Sequence, residues 1–313
     1  MEVSLGKLKS KLTKPFVRTG KSHVAFIDEL ASTEDRRLSS VKISFTGENP
    51  LFYAGTEFIS AMRKLFGANP EVLSRQCSNI TSVDLSGLSV PFDDNIINVL
   101  AIHHSKSLQS LKIMNNLLVN RVSPTCLICM VEQCRKLRHL EVYYSSMSDD
   151  ALLALAEEDR TPLESITLSC KAETRFTLPL TGEAWQQLVA KSPNISITFL
   201  FDHTLALDSM SKFLTWGIPV KNLTIENYAE MNDHLLRVSR LYRRSLESLV
   251  ITTDNSKYSE DIGTALVQVV TKCTKLKKLM VYTTLTKEVV EEIYKILPNL
   301  RNQGCSHLRF PVA

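Results

Sequence analysis

Three cysteines that lie close together have the spacing in this sequence that most resembles a chemical site. Cys126 and Cys129 form a C-x-x-C pair, and Cys134 follows shortly after them. A zinc site of this kind usually needs a second cysteine or histidine pair at a definite distance, and His139 is the only nearby candidate. The surrounding run "PTCLICMVEQC" is typical of an apolar helix, in which a free cysteine packs as a small hydrophobic side chain. We therefore predict no metal site and no redox site.

The segment Pro15 to Ser22, "PFVRTGKS", ends like a phosphate-binding loop. The position of the first glycine holds Pro15, which has no backbone N–H to offer a phosphate, and no hydrophobic strand precedes it. The seven histidines are scattered, and the adjacent His103 and His104 have no paired carboxylates. The G-x-S-x-G, H-E-x-x-H and G-x-G-x-x-G patterns are also absent from the sequence. We predict a protein that is not an enzyme, with no catalytic residues and no cofactor.

The elements that must position any functional side chain are a short strand and the helix that follows it. Leu137, Leu140 and Val142 have the spacing L-x-x-L-x-L, in which the last two residues share one face of a strand. Ser148 then suits the N-cap of a helix whose apolar residues come from "LLALA". Such a unit cannot bury its own hydrophobic face, so it needs copies of itself stacked alongside.

Copies of this unit recur at intervals of roughly 28 residues from Ile80 onward. The first residues of the copies are Leu38, Ile80, Leu108, Leu137, Leu163, Val220, Leu246 and Leu276. A degenerate copy around Ile195 fills the one long gap. The pattern predicts an α/β leucine-rich-repeat solenoid, a ribonuclease-inhibitor-like horseshoe of about nine βα repeats with a parallel concave sheet and outer helices. An ordinary α/β protein with parallel strands is the alternative, but it does not explain the near-constant period.

The composition indicates one extended domain and no separate second domain. No Ser/Gly-rich or Pro-rich stretch of a linker type interrupts the 313 residues, and a solenoid grows by adding neighbours. We predict a basic N-terminal flank or cap over residues 1–37, the solenoid over 38–300 and a C-terminal tail over 301–313. The basic start, "GKLKSKLTKPFVRTGK", also fits a transit peptide or a nucleic-acid-binding arm, although a solvated flank is the simpler interpretation.

The charge and hydropathy of the chain narrow the classes of partner. The chain has 37 basic and 33 acidic residues, a net charge of +4, which does not predict nucleic-acid binding. No apolar run is long enough to span a membrane, and no apolar segment of a secretory signal follows the N-terminal lysines. Seven cysteines, an odd number, fit reduced thiols. We therefore expect no membrane partner, no nucleic acid, and a location in the cytoplasm, the nucleus or both.

The side chains expected on the concave face are those between the strand hydrophobes, because strand residues alternate between two faces. Most are small and polar, but a few are large enough to anchor a partner protein. The candidate partner-binding residues are Lys112, Met114, His139, Glu141, Tyr143, Glu226, Met280 and Tyr282. They also fit ordinary exposed strand residues, since single apolar groups are common on protein surfaces.

Two longer runs carry a family resemblance. The run "VSPTCLICMVEQCRKLRHLEVYYSSMSDDALLALAEEDRTPLESITL" and the later "AWQQLVAKSPNISITFLF" resemble the leucine-rich-repeat half of F-box proteins, nearest to the branch that binds cryptochromes. The resemblance covers about residues 80–230 and implies that the repeats hold a protein substrate. In that family an N-terminal F-box docks on a Skp-type adaptor of a cullin-RING ubiquitin ligase. Residues 1–37 show no F-box pattern, so adaptor and cullin are expected only if an F-box or an equivalent is present.

The resemblance extends to the tail "NQGCSHLRFPVA", in which Phe310 and Pro311 match a Phe-Pro pair of that branch and are expected to contact the partner. The terminal tryptophan of that branch has no counterpart here. Together the repeats and the resemblance predict a protein-interaction module, the substrate-recognition subunit of an SCF-type ligase in a form without the F-box. A leucine-rich-repeat scaffold or inhibitor unconnected with ubiquitin is the alternative.

Overall fold

The structure is a computed structural model of the full chain, and it divides into two compact units. Unit 1 comprises residues 1–163 and unit 2 comprises residues 164–313. The structure describes residues 24–25, 27–28, 40–44, 55–67, 80–87, 93–114, 120–172, 177–226, 231–252 and 262–309.

Unit 1 alternates strands and helices. Its elements are β1 (Ser40–Ser44), α1 (Gly55–Phe66), β2 (Ser82–Gly87), α2 (Asp94–His104), β3 (Ser110–Lys112), α3 (Pro124–Gln133), β4 (His139–Tyr143), a 3₁₀ turn (Tyr144–Ser146) and α4 (Asp149–Leu155). The strands pair in parallel and in chain order, β1 with β2, β2 with β3 and β3 with β4.

Unit 2 continues the same alternation. Its elements are β5 (Ser165–Cys170), α5 (Gly182–Lys191), β6 (Ser196–Phe201), α6 (Leu207–Phe213), β7 (Val220–Glu226), α7 (Asn232–Leu241), β8 (Ser248–Thr252), α8 (Gly263–Lys272), β9 (Lys278–Thr284), α9 (Lys287–Ile296), a 3₁₀ turn (Pro298–Arg301) and β10 (Ser306–Arg309). These strands also pair in parallel and in chain order, from β5 with β6 to β9 with β10.

The repeated hydrophobic residues form the core of each unit. Leu137, Leu140 and Val142 are fully buried, and the register aligns Leu140 with Leu111 of the neighbouring strand. The same repeat position is therefore filled by an apolar side chain on adjacent strands, which is how stacked repeats bury a continuous core. A helix begins after Ser148, whose hydroxyl accepts a hydrogen bond from the backbone N–H of Ala151, as the sequence predicted.

A buried arginine supports the end of one helix in unit 1. The Arg160 guanidinium donates hydrogen bonds to the backbone carbonyls of Val131 and, at 3.1 Å, of Cys134. These carbonyls belong to the last turn of α3, where backbone acceptors have no partner within the helix. Burial lowers the pKa of Arg160, and the nearby carboxylate of Glu157 opposes that shift.

The predicted leucine-rich-repeat fold is confirmed, because each unit is a run of parallel strands alternating with helices. The degenerate copy around Ile195 is β6, a regular strand in which Ile197, Phe199 and Phe201 are buried. One element was not predicted: β10 lies in residues 301–313 and pairs with β9. Among the described residues, no helix combines the length and apolarity needed to cross a membrane.

Candidate partner-binding surface

On the accessible side of the unit 1 strands, a salt bridge joins two neighbouring strands. Lys112 of β3 lies directly opposite Glu141 of β4, and its Nζ is 2.6 Å from Glu141 Oε1. Their side chains are 36% and 26% exposed, respectively. His139, two residues before Glu141, is partly exposed on the same strand. We call Lys112, His139 and Glu141 the unit 1 face.

Two other residues of unit 1 that were predicted to contact a partner differ in solvent exposure. Met114, which follows β3, is partly exposed, as a contact residue must be. The prediction that Tyr143 is exposed is wrong, because only 4% of it is accessible. The reason is that β4 ends at Tyr143 and a 3₁₀ turn begins at Tyr144, so the alternation of strand faces no longer applies there. Val142, Tyr143 and Tyr144 are consequently buried in succession.

The middle of the accessible strand surface in unit 2 carries small polar side chains that bond across strands. Asn222 of β7 donates from Nδ2 to Thr198 Oγ1 of β6 at 3.0 Å, and a longer contact of 3.4 Å joins it to Ser196 Oγ. Asn222, Thr198 and Ser196 are all partly exposed. This region therefore offers hydroxyl and amide groups instead of bulky anchors.

Large side chains gather on the last strands of unit 2. Met280 and Tyr282 of β9 are partly exposed, as predicted for a contact surface. The Tyr282 ring stacks on His307 of β10, with ring centroids 4.6 Å apart and planes 27° from parallel. We call Met280, Tyr282 and His307 the unit 2 face. An aromatic pair fixed on adjacent strands offers apolar area at a low cost in conformational entropy.

Sequence reasoning missed His307 because β10 preserves little of the repeat pattern. The register aligns Ser306 with Leu279 and Leu308 with Val281, so a serine stands where a strand hydrophobe is expected. The alternation in "SHLR" was the only local signal of a strand.

The remaining predicted contact residues fall in two groups. Glu226 is the last residue of β7, and its carboxylate lies near the side chains of Asp202 and His203. Phe310 and Pro311 lie outside the described residues.

The structure separates the two cysteines of the C-x-x-C pair. Cys126 is buried in α3 and Cys129 is exposed. Burial, together with the negative charge of Asp94, raises the pKa of Cys126 to about 12. A thiol with this pKa is protonated at neutral pH, so it is a poor nucleophile and a poor metal ligand. The phosphate-loop-like segment 15–22 lies outside the described residues.

Comparison with known proteins identifies relatives over most of the chain. F-box/LRR-repeat protein 8 of Homo sapiens is 26% identical over 275 residues, which cover 88% of this chain and 70% of that protein. The protein of the same name in Mus musculus is 27% identical over 276 residues, covering 88% and 71%. F-box/LRR-repeat protein 21 of Bos taurus is 26% identical over 192 residues, covering 59% of this chain and 39% of that protein.

No family model matches the chain. The similarity to F-box/LRR-repeat protein 8 covers 275 residues, more than the range of about 80–230 over which the sequence suggested it, and the structure supplies the strand–helix repeats that this similarity requires. The predicted resemblance is therefore confirmed, and the chain is a leucine-rich-repeat protein related to F-box/LRR-repeat proteins 8 and 21.

Proposed function

We propose that this chain recognises a protein substrate on behalf of a cullin-RING, SCF-type ubiquitin ligase and has no catalytic residues of its own. The observation that carries the proposal is the similarity to F-box/LRR-repeat protein 8 over 88% of the chain. Repeats of this kind present side chains on a row of parallel strands, which is a rigid surface for protein recognition. The substrate is bound by the unit 1 face, the unit 2 face, or both.

The chemistry of the two faces suits a protein partner. The unit 1 face holds partly exposed charged groups, and the unit 2 face holds an aromatic pair with a methionine. Protein interfaces use both kinds of group. The strands fix the backbone of these residues, so less conformational entropy is lost when a partner binds. We propose proteins, and neither nucleic acids nor membranes, as the partners.

Assembly with a Skp-type adaptor and a cullin requires an F-box or an equivalent docking segment. We propose that such assembly occurs only where that segment is present, whereas substrate binding by the repeats does not depend on it. The protein then acts in the cytoplasm, the nucleus or both. The described cysteines are all free, which is compatible with a reducing compartment.

The test is to express the tagged chain in cells and to quantify the proteins that it captures. Two variants remove one face each, His139→Ala with Glu141→Ala in unit 1, and Met280→Ala with Tyr282→Ala in unit 2. A substrate should be captured less by at least one of these variants, and its half-life should lengthen when the protein is depleted. The adaptor and the cullin, where captured, should remain bound to both variants.

Matched controls change exposed helix residues in the same units. Glu132→Ala with Gln133→Ala alters α3, and Gln186→Ala with Gln187→Ala alters α5. Neither control should reduce capture of the substrate. If capture of a partner requires one of the strand faces but the half-life of that partner does not change when this protein is depleted, the scaffold or inhibitor function is favoured. Partners retained by both face variants would place recognition elsewhere on the chain.

A further inference from the structure

Three potential metal ligands meet where two neighbouring strands of unit 2 end. The register of β6 and β7 aligns Phe201 with Ile225, so Asp202, which follows β6, lies beside Glu226, the last residue of β7. His203 follows directly in the chain. One donor atom from each of Asp202, His203 and Glu226 lies within 4.8 Å of the other two. Among the described residues, no other three His, Cys, Asp or Glu side chains lie close enough together to share one ion.

The turn after β6 holds two of these ligands in place. The backbone N–H of Thr204 donates to Asp202 Oδ1 at 2.7 Å, and His203 Nδ1 lies 3.4 Å from the same oxygen. The Thr204 hydroxyl accepts a hydrogen bond of 3.0 Å from the backbone N–H of Ala172, which follows β5. The turn is therefore tied to the neighbouring strand, and Asp202 and His203 are presented from a braced backbone.

The donor set has the chemistry of a transition-metal site. Zinc binds imidazole nitrogen and carboxylate oxygen at roughly 2.0–2.2 Å, so two donors of one ion lie up to about 4 Å apart. The observed separations of up to 4.8 Å require only a small side-chain rotation to reach that range. Two carboxylates this close repel each other when both are ionised, and a bound divalent cation offsets that repulsion.

We propose that Asp202, His203 and Glu226 form a binding site for a divalent transition metal ion, with Zn²⁺ as the reference ligand. Three protein ligands leave a fourth position for solvent, as in zinc sites that keep an open coordination position. The side chain of His203 is 53% exposed and that of Asp202 is 21% exposed, so an ion reaches the site from solvent.

This site does not rest on the proposed function, because metal binding is measured on the purified chain alone. The sequence predicted no metal site, because its local cysteine and histidine spacings do not match one. The present ligands lie at the ends of two strands that are far apart in the sequence, and only the parallel register brings Glu226 to Asp202 and His203.

Calorimetric titration of Zn²⁺ into the chain tests the site. The parent protein for this experiment carries Cys129→Ser, so that the exposed thiol does not contribute a background site. We expect one site per chain, and His203→Ala or Glu226→Gln should weaken its affinity by about 100-fold or more. Asp202 is left unchanged because its carboxylate also accepts the backbone hydrogen bond of Thr204.

His103→Ala is the control, because His103 is an exposed histidine on α2 in the other unit. It should bind Zn²⁺ as the parent does. The Co²⁺-loaded parent should show visible absorption without a strong thiolate-to-cobalt band. Circular dichroism confirms that each variant is folded. Absence of Zn²⁺ binding by the parent, or equal binding by folded His203→Ala and Glu226→Gln, would overturn the site.

Discussion

The unit 1 face and the unit 2 face present opposite kinds of surface on the same kind of strand. In unit 1, Lys112 and Glu141 are already paired with each other at 2.6 Å, so their charges are largely neutralised within the protein. In unit 2, Tyr282 and His307 stack as rings, and Met280 lies on the same strand as Tyr282. The first face offers orientation-dependent polar contacts, and the second offers apolar area.

This difference indicates separate contributions to recognition. A partly exposed ion pair adds little affinity, because a charged group of the partner must either bind to the existing pair or displace one of its two members. The pair does discriminate between partners of opposite charge. Aromatic residues and methionine dominate the few positions that contribute most binding free energy at protein interfaces. We therefore expect affinity to depend on the unit 2 face and selectivity to depend on the unit 1 face.

The two units also differ in how an arginine supports the end of a helix, and this difference gives the largest expected effect. Arg160 of unit 1 is buried and serves two carbonyls, whereas the exposed Arg237 of unit 2 donates from Nε to the carbonyl of Leu214 at 2.9 Å. Arg160→Ala removes a charged donor from two buried carbonyls, of which that of Cys134 keeps the backbone N–H of Leu137, and it should lower the free energy of unfolding by about 3 kcal/mol. Arg237→Ala should cost about 1 kcal/mol, since solvent replaces part of its bond.

Urea denaturation of both variants measures these costs. Lys136→Ala, at an exposed position in the loop after α3, is the control and should change stability by less than about 0.5 kcal/mol. If Arg160→Ala is no less stable than Lys136→Ala, water has replaced the guanidinium. Burial would then not make the stability contribution of Arg160 larger than that of Arg237.

The next largest effect is on partner affinity. Tyr282→Ala removes one ring of the stack with His307 and should weaken binding of the substrate by about 2 kcal/mol, roughly 30-fold. His139→Ala in unit 1 should cost less than about 1 kcal/mol, as most interface positions do. Calorimetry with the purified partner measures both, and Gln186→Ala on α5 is the control. A larger loss for His139→Ala than for Tyr282→Ala would reverse the assignment of affinity to unit 2.

The fold was predictable because the L-x-x-L-x-L spacing fixes which strand residues are buried. Leu137, Leu140 and Val142 are buried as predicted. Glu141, between Leu140 and Val142, is partly exposed, and so is Lys112 at the same position of the preceding repeat. Such alternation depends only on backbone geometry within a strand. It fails where the strand ends, and this is why Tyr143 was placed on the wrong side.

The parts of the surface that escaped prediction depend on register between strands. Stacking of Tyr282 with His307 requires β10, whose repeat pattern is reduced by Ser306. The proximity of Glu226 to Asp202 likewise depends on how β6 and β7 align. Residue spacing along one strand carries no information about side chains on the next one unless the register is known. Contacts across strands were therefore predictable where both repeats keep the L-x-x-L-x-L pattern, and not where one strand is degenerate, as β6 and β10 are.

A smaller effect tests the ion pair of the unit 1 face directly. A double-mutant cycle on Lys112→Ala and Glu141→Ala should give a coupling free energy of about 0.5 kcal/mol in stability, because both side chains remain partly solvated. The coupling should shrink in high salt, which screens exposed charges. Urea denaturation at low and high salt measures it. A coupling above about 2 kcal/mol would show that this pair is structural and not available to a partner.

The smallest expected effect concerns the corresponding pair in unit 2, Lys277 with Glu247, whose Nζ and Oε2 atoms are 2.6 Å apart. The hydrogen bond from Lys277 lowers the pKa of Glu247. The pair therefore contributes stability at pH values above the ordinary carboxyl pKa, and this contribution is lost as the pH falls through the lowered pKa of the folded state. Glu247→Gln should lower the free energy of unfolding by a few tenths of a kcal/mol at neutral pH, because the pair is largely solvated, and by nothing once the carboxyl is protonated in acid.

Urea denaturation of Glu247→Gln and of the parent across that acidic range measures the difference. The control is Glu288→Gln, which changes an exposed glutamate in the first turn of α9. A cost for Glu247→Gln that stays constant into acid would mean that the glutamine loses packing and not charge, and the ion pairs of the two units would then differ in kind.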